Sequence, residues 1–325
     1  MTALDEVAGR LDEALGAGRV RRRVDIGTLT TYRVGGAAEV FVELDSEEEL
    51  LAVASAVEDV RCAGGDVAVL VVGRGSNLLV ADTGFAGVAL RLGEGFASIT
   101  IDDVTVRCGG AAPLPAVARR TAAEGLSGFE WAVGVPGSVG GAVRMNAGGH
   151  GSDMAASLVD ARIVDLAGAT VATRSATDLA LGYRSSALGA DDVVTSATIS
   201  LVRGERGAAE EEIAAIVRWR RDNQPGGQNA GSVFVNPAGD AAGRLIDLAG
   251  CKGLRIGSAE VSMKHANFIQ VDPGGSAADV RELMATVAEQ VRRHSGVVLR
   301  AETRLVGFDE QDVDDGHDDR GGRRR

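Results

Sequence analysis

The segment from Gly125 to Gly151, GLSGFEWAVGVPGSVGGAVRMNAGGHG, limits the folds open to this chain more than any other. Nine of its 27 residues are glycine, and it holds one acid, Glu130, and one base, Arg144. A solvated linker would carry more charge, and an ordinary amphipathic helix would carry far less glycine. Glycine lets main chain approach a ligand closely or adopt positive φ, and Pro136 fixes one φ within that freedom. Two readings follow: a tight turn between packed strands, or a shaped wall of amide N–H groups. Such a wall suits phosphates and the polar edge of a flat heterocycle, because concave sets of N–H groups attract anions without a side chain intervening.

A second stretch decides what kind of frame carries that wall. The apolar run Val67 to Val72 reads as a strand that enters Gly73-Arg74-Gly75-Ser76-Asn77. In a dinucleotide-binding Rossmann turn the glycines open a helix whose N-terminus faces the pyrophosphate. Here Leu78-Leu79-Val80 and the turn Ala81-Asp82-Thr83-Gly84 follow at once, leaving no room for a helix. The frame is strand–loop–strand, and a Rossmann fold is excluded. A lone Gly-x-Gly is also met in a β-turn capped by Ser76 and Asn77; the two glycine stretches together point to a flavin or nucleotide.

The remaining features bound the class. A chain of 325 residues has room for two domains, or for one large domain with a small one attached. Its net charge of −12 argues against non-specific nucleic-acid binding, which needs a basic footprint. Cys62, Cys108 and Cys251 are odd in number and lack any Cys-x-x-Cys spacing, so neither a disulfide framework nor a metal site is expected. A reducing, cytoplasmic setting fits. No apolar run approaches the roughly 18 residues of a membrane span, and the acidic N-terminus has no apolar signal core.

Along the chain, residues 3–16 form an amphipathic helix, and Thr30 to Val34 favours a strand broken by Gly35-Gly36 and resumed at Val40 to Leu44. Ser46 with Glu49 makes a capping box for a helix through Ala63. Residues 97–108 read as a hairpin with Asp102-Asp103 at its tip, and Pro113 opens a helix to about Ala123. Paired strands over 158–175, a strand over 193–202 and a charged helix from Glu210 to Arg221 come next. Residues 222–231, DNQPGGQNAG, have linker composition. After them GSVFVNP reads as a short strand, AAGRLIDLAG as a helix, SAEVSMKHANFIQV as one or two strands, and a helix shows Val280, Leu283, Val287 and Val291 on one face before VVLRAETRLVG closes as a strand. From Phe308, seven acids precede four arginines with almost nothing apolar, so 308–325 reads as a disordered tail.

Four further groups are dull one at a time: Tyr183-Arg184 in LGYRSS, Ser232 in AGSVFVNP, His265 in KHANF and Glu302 in LRAET. Together with VGRGSNLLVADTGFAG and the long glycine segment, in this order, they resemble the UDP-N-acetylenolpyruvoylglucosamine reductase (MurB) family of peptidoglycan synthesis. The resemblance runs from about Thr28 to Gly307. It implies an α+β protein: a FAD-binding domain of the vanillyl-alcohol oxidase type over 1–221, in subdomains of about 1–92 and 93–221, a linker over 222–231, and a small α+β substrate-binding domain over 232–307. FAD would lie non-covalently between the subdomains, against Gly73, Arg74, Gly75, Ser76, Asn77 and Leu78 and against Gly134, Val135, Pro136, Ser138, Gly140, Gly141 and Ala142. NADPH would be co-substrate, and the protein a monomer.

Family roles carry over by position. Arg184 matches the arginine that stabilises the substrate carboxylate, Ser232 the proton donor and Glu302 their acidic partner. Tyr183 and Asn236 match residues near substrate, and Arg220 and Arg304 match substrate contacts. Two departures are present: Val235 stands where the family often has lysine, and Ala301 where it has proline. Only 47 residues separate Arg184 from Ser232, which is similar to the shorter class without an inserted tyrosine-bearing lid. The implied reaction moves a hydride from NADPH through FAD to the enolpyruvyl group of UDP-N-acetylglucosamine enolpyruvate, giving UDP-N-acetylmuramate. Hydride addition distant from the carboxylate leaves an enolate, whose charge calls for Arg184 and whose carbon calls for a proton donor. Other readings are a sugar or lactone oxidase of the same fold, whose flavin would be attached through His150 or His265, and a non-catalytic flavin- or nucleotide-binding module.

Overall fold

Alternation in AAEVFVEL makes Ala37–Leu44 the spine of the first sheet, with Val40, Val42 and Leu44 in one core and Phe41 in another on the opposite face. The computed structural model describes residues 2–308, so the tail read from Phe308 lies, from residue 309 on, outside the described residues. Ala37–Leu44 pairs antiparallel with Val20–Asp25 and parallel with Phe85–Leu92, which itself lies parallel to Ala68–Val71. Helices Ala3–Leu15 and Glu47–Cys62 close one face, burying Val7, Leu11, Leu50, Val53 and Val57 against Val40 and Val42. Ser46 caps the second helix by accepting from Glu49 N at 3.3 Å. The Glu49 carboxylate reaches one residue further than a capping box requires, accepting from Asp45 N at 2.7 Å.

The strand expected at Thr30 to Val34 is absent. A short 3₁₀ turn covers Gly27–Leu29, Arg33 has φ +54°, and Tyr32 is fully buried in the core of the C-terminal unit. That buried contact outweighs the strand preference of Thr-Thr-Tyr. The sheet edge belongs instead to Val20–Asp25, whose three consecutive arginines hide its alternation.

The second sheet is wholly antiparallel, in the order Thr170–Ser175, Leu158–Asp165, Asp192–Ser200, Thr105–Gly109, Ile99–Asp102. Asp102 pairs with Thr105, so the hairpin turns at Asp103-Val104, one residue later than read, with Asp103 at φ +53°. Leu114–Ala123 starts after Pro113, and Arg206–Asn223 begins four residues before the expected Glu210. The long glycine segment is less irregular than its composition: it contains a 3₁₀ turn, Glu130–Gly134, and a seven-residue helix, Val139–Met145. Ser138 starts that helix, and Gly140 lets it lie flat on main chain, since a Cβ there would sit 3.1 Å from Val194 O and 3.2 Å from Gly110 O.

The C-terminal unit holds a small antiparallel sheet of Arg255–Ile256, Ala259–Val261 and Ile269–Val271 with helices Ala242–Leu248 and Ala277–Ser295. Val280, Leu283, Val287 and Val291 are all buried on the long helix. The SVFVNP segment forms no strand; Phe234 makes a single bridge with Ala301. Likewise only Arg304–Val306 of the closing segment is a strand, and it pairs in parallel with Leu78–Val80 of the first glycine loop's exit. The architecture is α+β, with the strand Arg304–Val306 stitched back beside the loop that begins at Gly73.

Candidate functional site

Between these units runs a cleft of about 990 Å³. One wall is the Gly73 loop, and the facing wall is the turn and helix start from Gly134 to Ala142; every residue that the resemblance assigned to FAD in these two stretches lines it. The glycines leave the main chain bare. A Cβ on Gly73 would meet Ser138 Oγ at 2.9 Å, and one on Gly134 would meet Arg220 Cδ at 3.1 Å. Gly75, at φ +61°, takes a conformation that disfavours a side chain and packs against Leu29 O. Leu70, Val71, Leu92, Ala97 and Ile99 add an apolar lining to the same cleft. A cleft of this size with a bare amide wall and an apolar lining fits a flat dinucleotide such as FAD.

The same cleft gathers charged groups. Arg184 has φ +56°, and its guanidinium is anchored by Gly148 O at 2.9 Å and Asn146 O at 3.4 Å. Those carbonyls are fixed by Asn146, a buried left-handed residue whose side chain donates to Gly182 O at 2.9 Å and Asp153 Oδ2 at 3.1 Å and accepts from Ala155 N at 2.9 Å. Arg184 Nε lies 2.8 Å from Glu302 Oε1, an ion pair whose N–H is not aimed along the contact. Burial raises the Glu302 pKa, and Arg184 only partly offsets this. The Glu302 backbone is clamped on both sides: Asn77 Nδ2 donates to Glu302 O at 2.9 Å, and Glu302 N donates to Val233 O at 2.7 Å. That second bond places Ser232, the preceding residue, in the same cleft, where no described residue hydrogen-bonds its hydroxyl. One loop of the glycine frame therefore positions the carboxylate, and the backbone N–H of the carboxylate's residue positions the serine's segment.

The carried-over substrate residues divide. Arg220 and Arg304 line the cleft; Tyr183 and Asn236 do not. Instead Asn236 Nδ2 donates to Tyr183 Oη at 3.3 Å, and Asn236 Oδ1 accepts from Ala242 N at 2.9 Å. Of the two histidines considered for covalent flavin, His150 lines the cleft, while His265 lies outside it, its Nδ1 accepting from Asn267 N at 3.3 Å. Two cleft residues, Arg144 and Trp219, carried no role in the sequence reading. Arg144 is held by Gly189 O at 2.8 Å, and burial together with the neighbouring Arg304 lowers its pKa to about 10. It was the sole base of the glycine segment, the one signal that marked it. Trp219 meets His150 edge to face within the cleft. Among the described residues no group of His, Cys, Asp and Glu is placed to hold a metal ion, and no helix is long and apolar enough to cross a membrane.

Comparison with known proteins agrees with this geometry. A family model described as FAD binding domain matches residues 38–174, and one described as UDP-N-acetylenolpyruvoylglucosamine reductase, C-terminal domain, matches residues 223–306. The chain is 41% identical to UDP-N-acetylenolpyruvoylglucosamine reductase 2 of Symbiobacterium thermophilum, across 89% of this chain and 93% of that protein. It is 40% identical to the reductase of Methylorubrum populi, across 90% and 93%. The crystal structure of the Thermus caldophilus reductase superposes with a TM-score of 0.75 at 33% identity, covering 89% of this chain and 99% of that one. Coverage of this extent at these identities shows that the chain belongs to the UDP-N-acetylenolpyruvoylglucosamine reductase family.

Proposed function

We propose that this protein reduces the enolpyruvyl group of UDP-N-acetylglucosamine enolpyruvate to give UDP-N-acetylmuramate, with NADPH as reductant and non-covalent FAD as cofactor, in cytoplasmic synthesis of the peptidoglycan precursor. The observation that carries the assignment of roles is that Arg184, Glu302 and Ser232 line the same cleft as the glycine-rich stretches Gly73 to Leu78 and Gly134 to Ala142. FAD bound along that wall would supply the hydride. Gly73 to Leu78 and Gly134 to Ala142 would hold it, and Arg184 and Ser232 would act on the substrate from the opposite side.

Arg184 neutralises the substrate carboxylate and the charge that spreads onto it as the hydride arrives. Because its guanidinium is already fixed by two carbonyls and Glu302, little reorganisation is needed when that charge develops. Burial raises the Glu302 pKa, so its carboxyl holds a proton more readily than an exposed one, which suits it to hydrogen-bond the enolic carboxylate beside Arg184. Ser232 delivers the proton to the substrate carbon, a strong base once the enolate has formed. Arg220 and Arg304 hold the substrate's anionic groups, while Tyr183 and Asn236 form a pair outside the cleft that substrate would have to draw in. Residues 1–221 would serve as the cofactor domain, in subdomains of about 1–92 and 93–221. Residues 222–231 would be the linker and 232–307 the substrate domain, and the protein would work as a monomer.

The test is anaerobic mixing of purified protein with NADPH, followed by the enolpyruvyl UDP-sugar, while flavin absorbance is recorded. The expected result is bleaching in the first step and full return in the second, with the yellow colour leaving the polypeptide on acid denaturation. Bleaching without return would remove the enolpyruvyl sugar as substrate, and colour retained on the denatured chain would favour covalent attachment at His150.

A further inference from the structure

The cleft carries four groups that the proposed chemistry leaves unused or only half explained. Trp219 is 47% exposed on the helix Arg206–Asn223. Its ring meets His150 with centroids 5.1 Å apart and planes at 89°. His150 is held there at φ +52°, a left-handed conformation uncommon for a residue with a side chain. Beside Trp219, Arg220 packs along Gly134, and the described ion pairs offer it no carboxylate. Past the helix end, the buried Gln224 Oε1 has no hydrogen-bond partner. All four residues line the cleft.

We propose that Trp219, braced by His150, is the stacking platform of a nucleotide subsite, with Arg220 facing a phosphate and Gln224 accepting an N–H from the edge of the base. This rests on the function proposed above, since two nucleotides then visit the cleft: the uridine diphosphate sugar and NADPH. Each offers a flat ring with an edge N–H and a nearby diphosphate, which is the shared chemistry the four groups recognise. An exposed tryptophan alone is unremarkable on a protein surface. A left-handed histidine at its edge, an unpaired guanidinium beside it and an orphan buried acceptor in the same cleft make a ligand-shaped set.

The experiment uses the FAD-loaded protein and titrates UDP, NADP⁺ and inorganic pyrophosphate separately by calorimetry, on the parent and on Trp219→Ala and Trp219→Phe. Trp219→Ala is expected to weaken UDP or NADP⁺ about tenfold, which is about 1.4 kcal/mol and within the range for one base on one aromatic ring. The Phe variant should recover most of the loss, and pyrophosphate binding should not change. A loss for UDP alone assigns the platform to the uracil, and a loss for NADP⁺ alone assigns it to the reductant. In parallel, tryptophan emission of the unmodified protein should respond to the same nucleotide; the only other tryptophan, Trp131, is buried, so the response should vanish in Trp219→Phe. Unchanged binding of both nucleotides by the Ala variant, or an equal loss for pyrophosphate, overturns the proposal. Because binding is read without turnover, the result stands apart from whether NADPH bleaches the flavin.

Discussion

Ser232 and Glu302 lie on neighbouring segments joined by the backbone bonds Glu302 N to Val233 O and Val235 N to Arg300 O, yet they ask for different measurements. If Ser232 delivers the proton, Ser232→Ala should keep FAD and be bleached by NADPH at nearly the parental rate. Return of absorbance with the UDP-sugar should slow by about 10³-fold, equivalent to roughly 4 kcal/mol of transition-state stabilisation. A parental rate of return would make Ser232 a turn residue. Glu302 is tested through stability. Its folded pKa lies above its ordinary value of 4.5, burial being the main cause. Between those two values the folded chain binds a proton that the unfolded chain has released, so the Glu302 contribution is present below 4.5 and is lost as pH rises through the folded pKa. Relative to Glu302→Gln, the parent should therefore lose unfolding free energy as pH rises across that window. Denaturant midpoints measured at a series of pH values check the sign, and a difference that grows in the opposite direction would refute a raised pKa.

At the scale of elements, the glycine loops were readable because their backbone demands are local. Gly75 is a case in point: at φ +61°, a Cβ would lie 2.4 Å from Leu29 O and 2.6 Å from Thr30 Cα, both backbone atoms that a rotamer change cannot move. Gly75→Ala should cost about 1–3 kcal/mol from strain of this kind and should weaken FAD retention, because the loop must shift from the cleft wall. Gly151→Ala is the control, since its φ of +86° is also left-handed but its added Cβ would meet nothing within 4 Å. Thermal unfolding and flavin release should rank the two, with Gly75→Ala the worse; an equal loss would mean that the Leu29 contact contributes nothing. What escaped the sequence was set by distant partners. The strand preference of Thr30 to Val34 gave way to the burial of Tyr32 under residues some 200 positions later, and the Val20–Asp25 edge was masked by its arginines. The same reason separates the site residues. Arg184, Ser232 and Glu302 sit in distinctive local motifs, whereas Arg144 and Trp219 gain meaning only from what faces them across the cleft.

For the whole molecule, the question is whether the C-terminal unit is an appendage or part of the frame. The strand Arg304–Val306 pairs with Leu78–Val80, and Tyr32, Val34 and Leu79 from the N-terminal part of the chain share a core with Val233, Phe234 and Leu245. Asp82 adds a polar tie. Its carboxylate accepts from Ser276 Oγ at 2.7 Å, Ala277 N at 2.9 Å and Ala278 N at 3.0 Å, so a side chain about 200 residues earlier satisfies free N–H groups at the start of the helix Ala277–Ser295. An anion at a helix N-terminus is favoured by both the hydrogen bonds and the dipole. Asp82→Ala should accordingly cost about 1–2 kcal/mol, and Asp82→Asn, which keeps an acceptor but not the charge, should recover part of it. The shared apolar core and the parallel strand remain in both variants. Denaturant unfolding should thus stay a single transition with an unchanged slope and a lowered midpoint. A curve that splits in two on loss of Asp82 would show that the carboxylate, not the buried core around Leu79, is what makes the C-terminal unit fold with the rest.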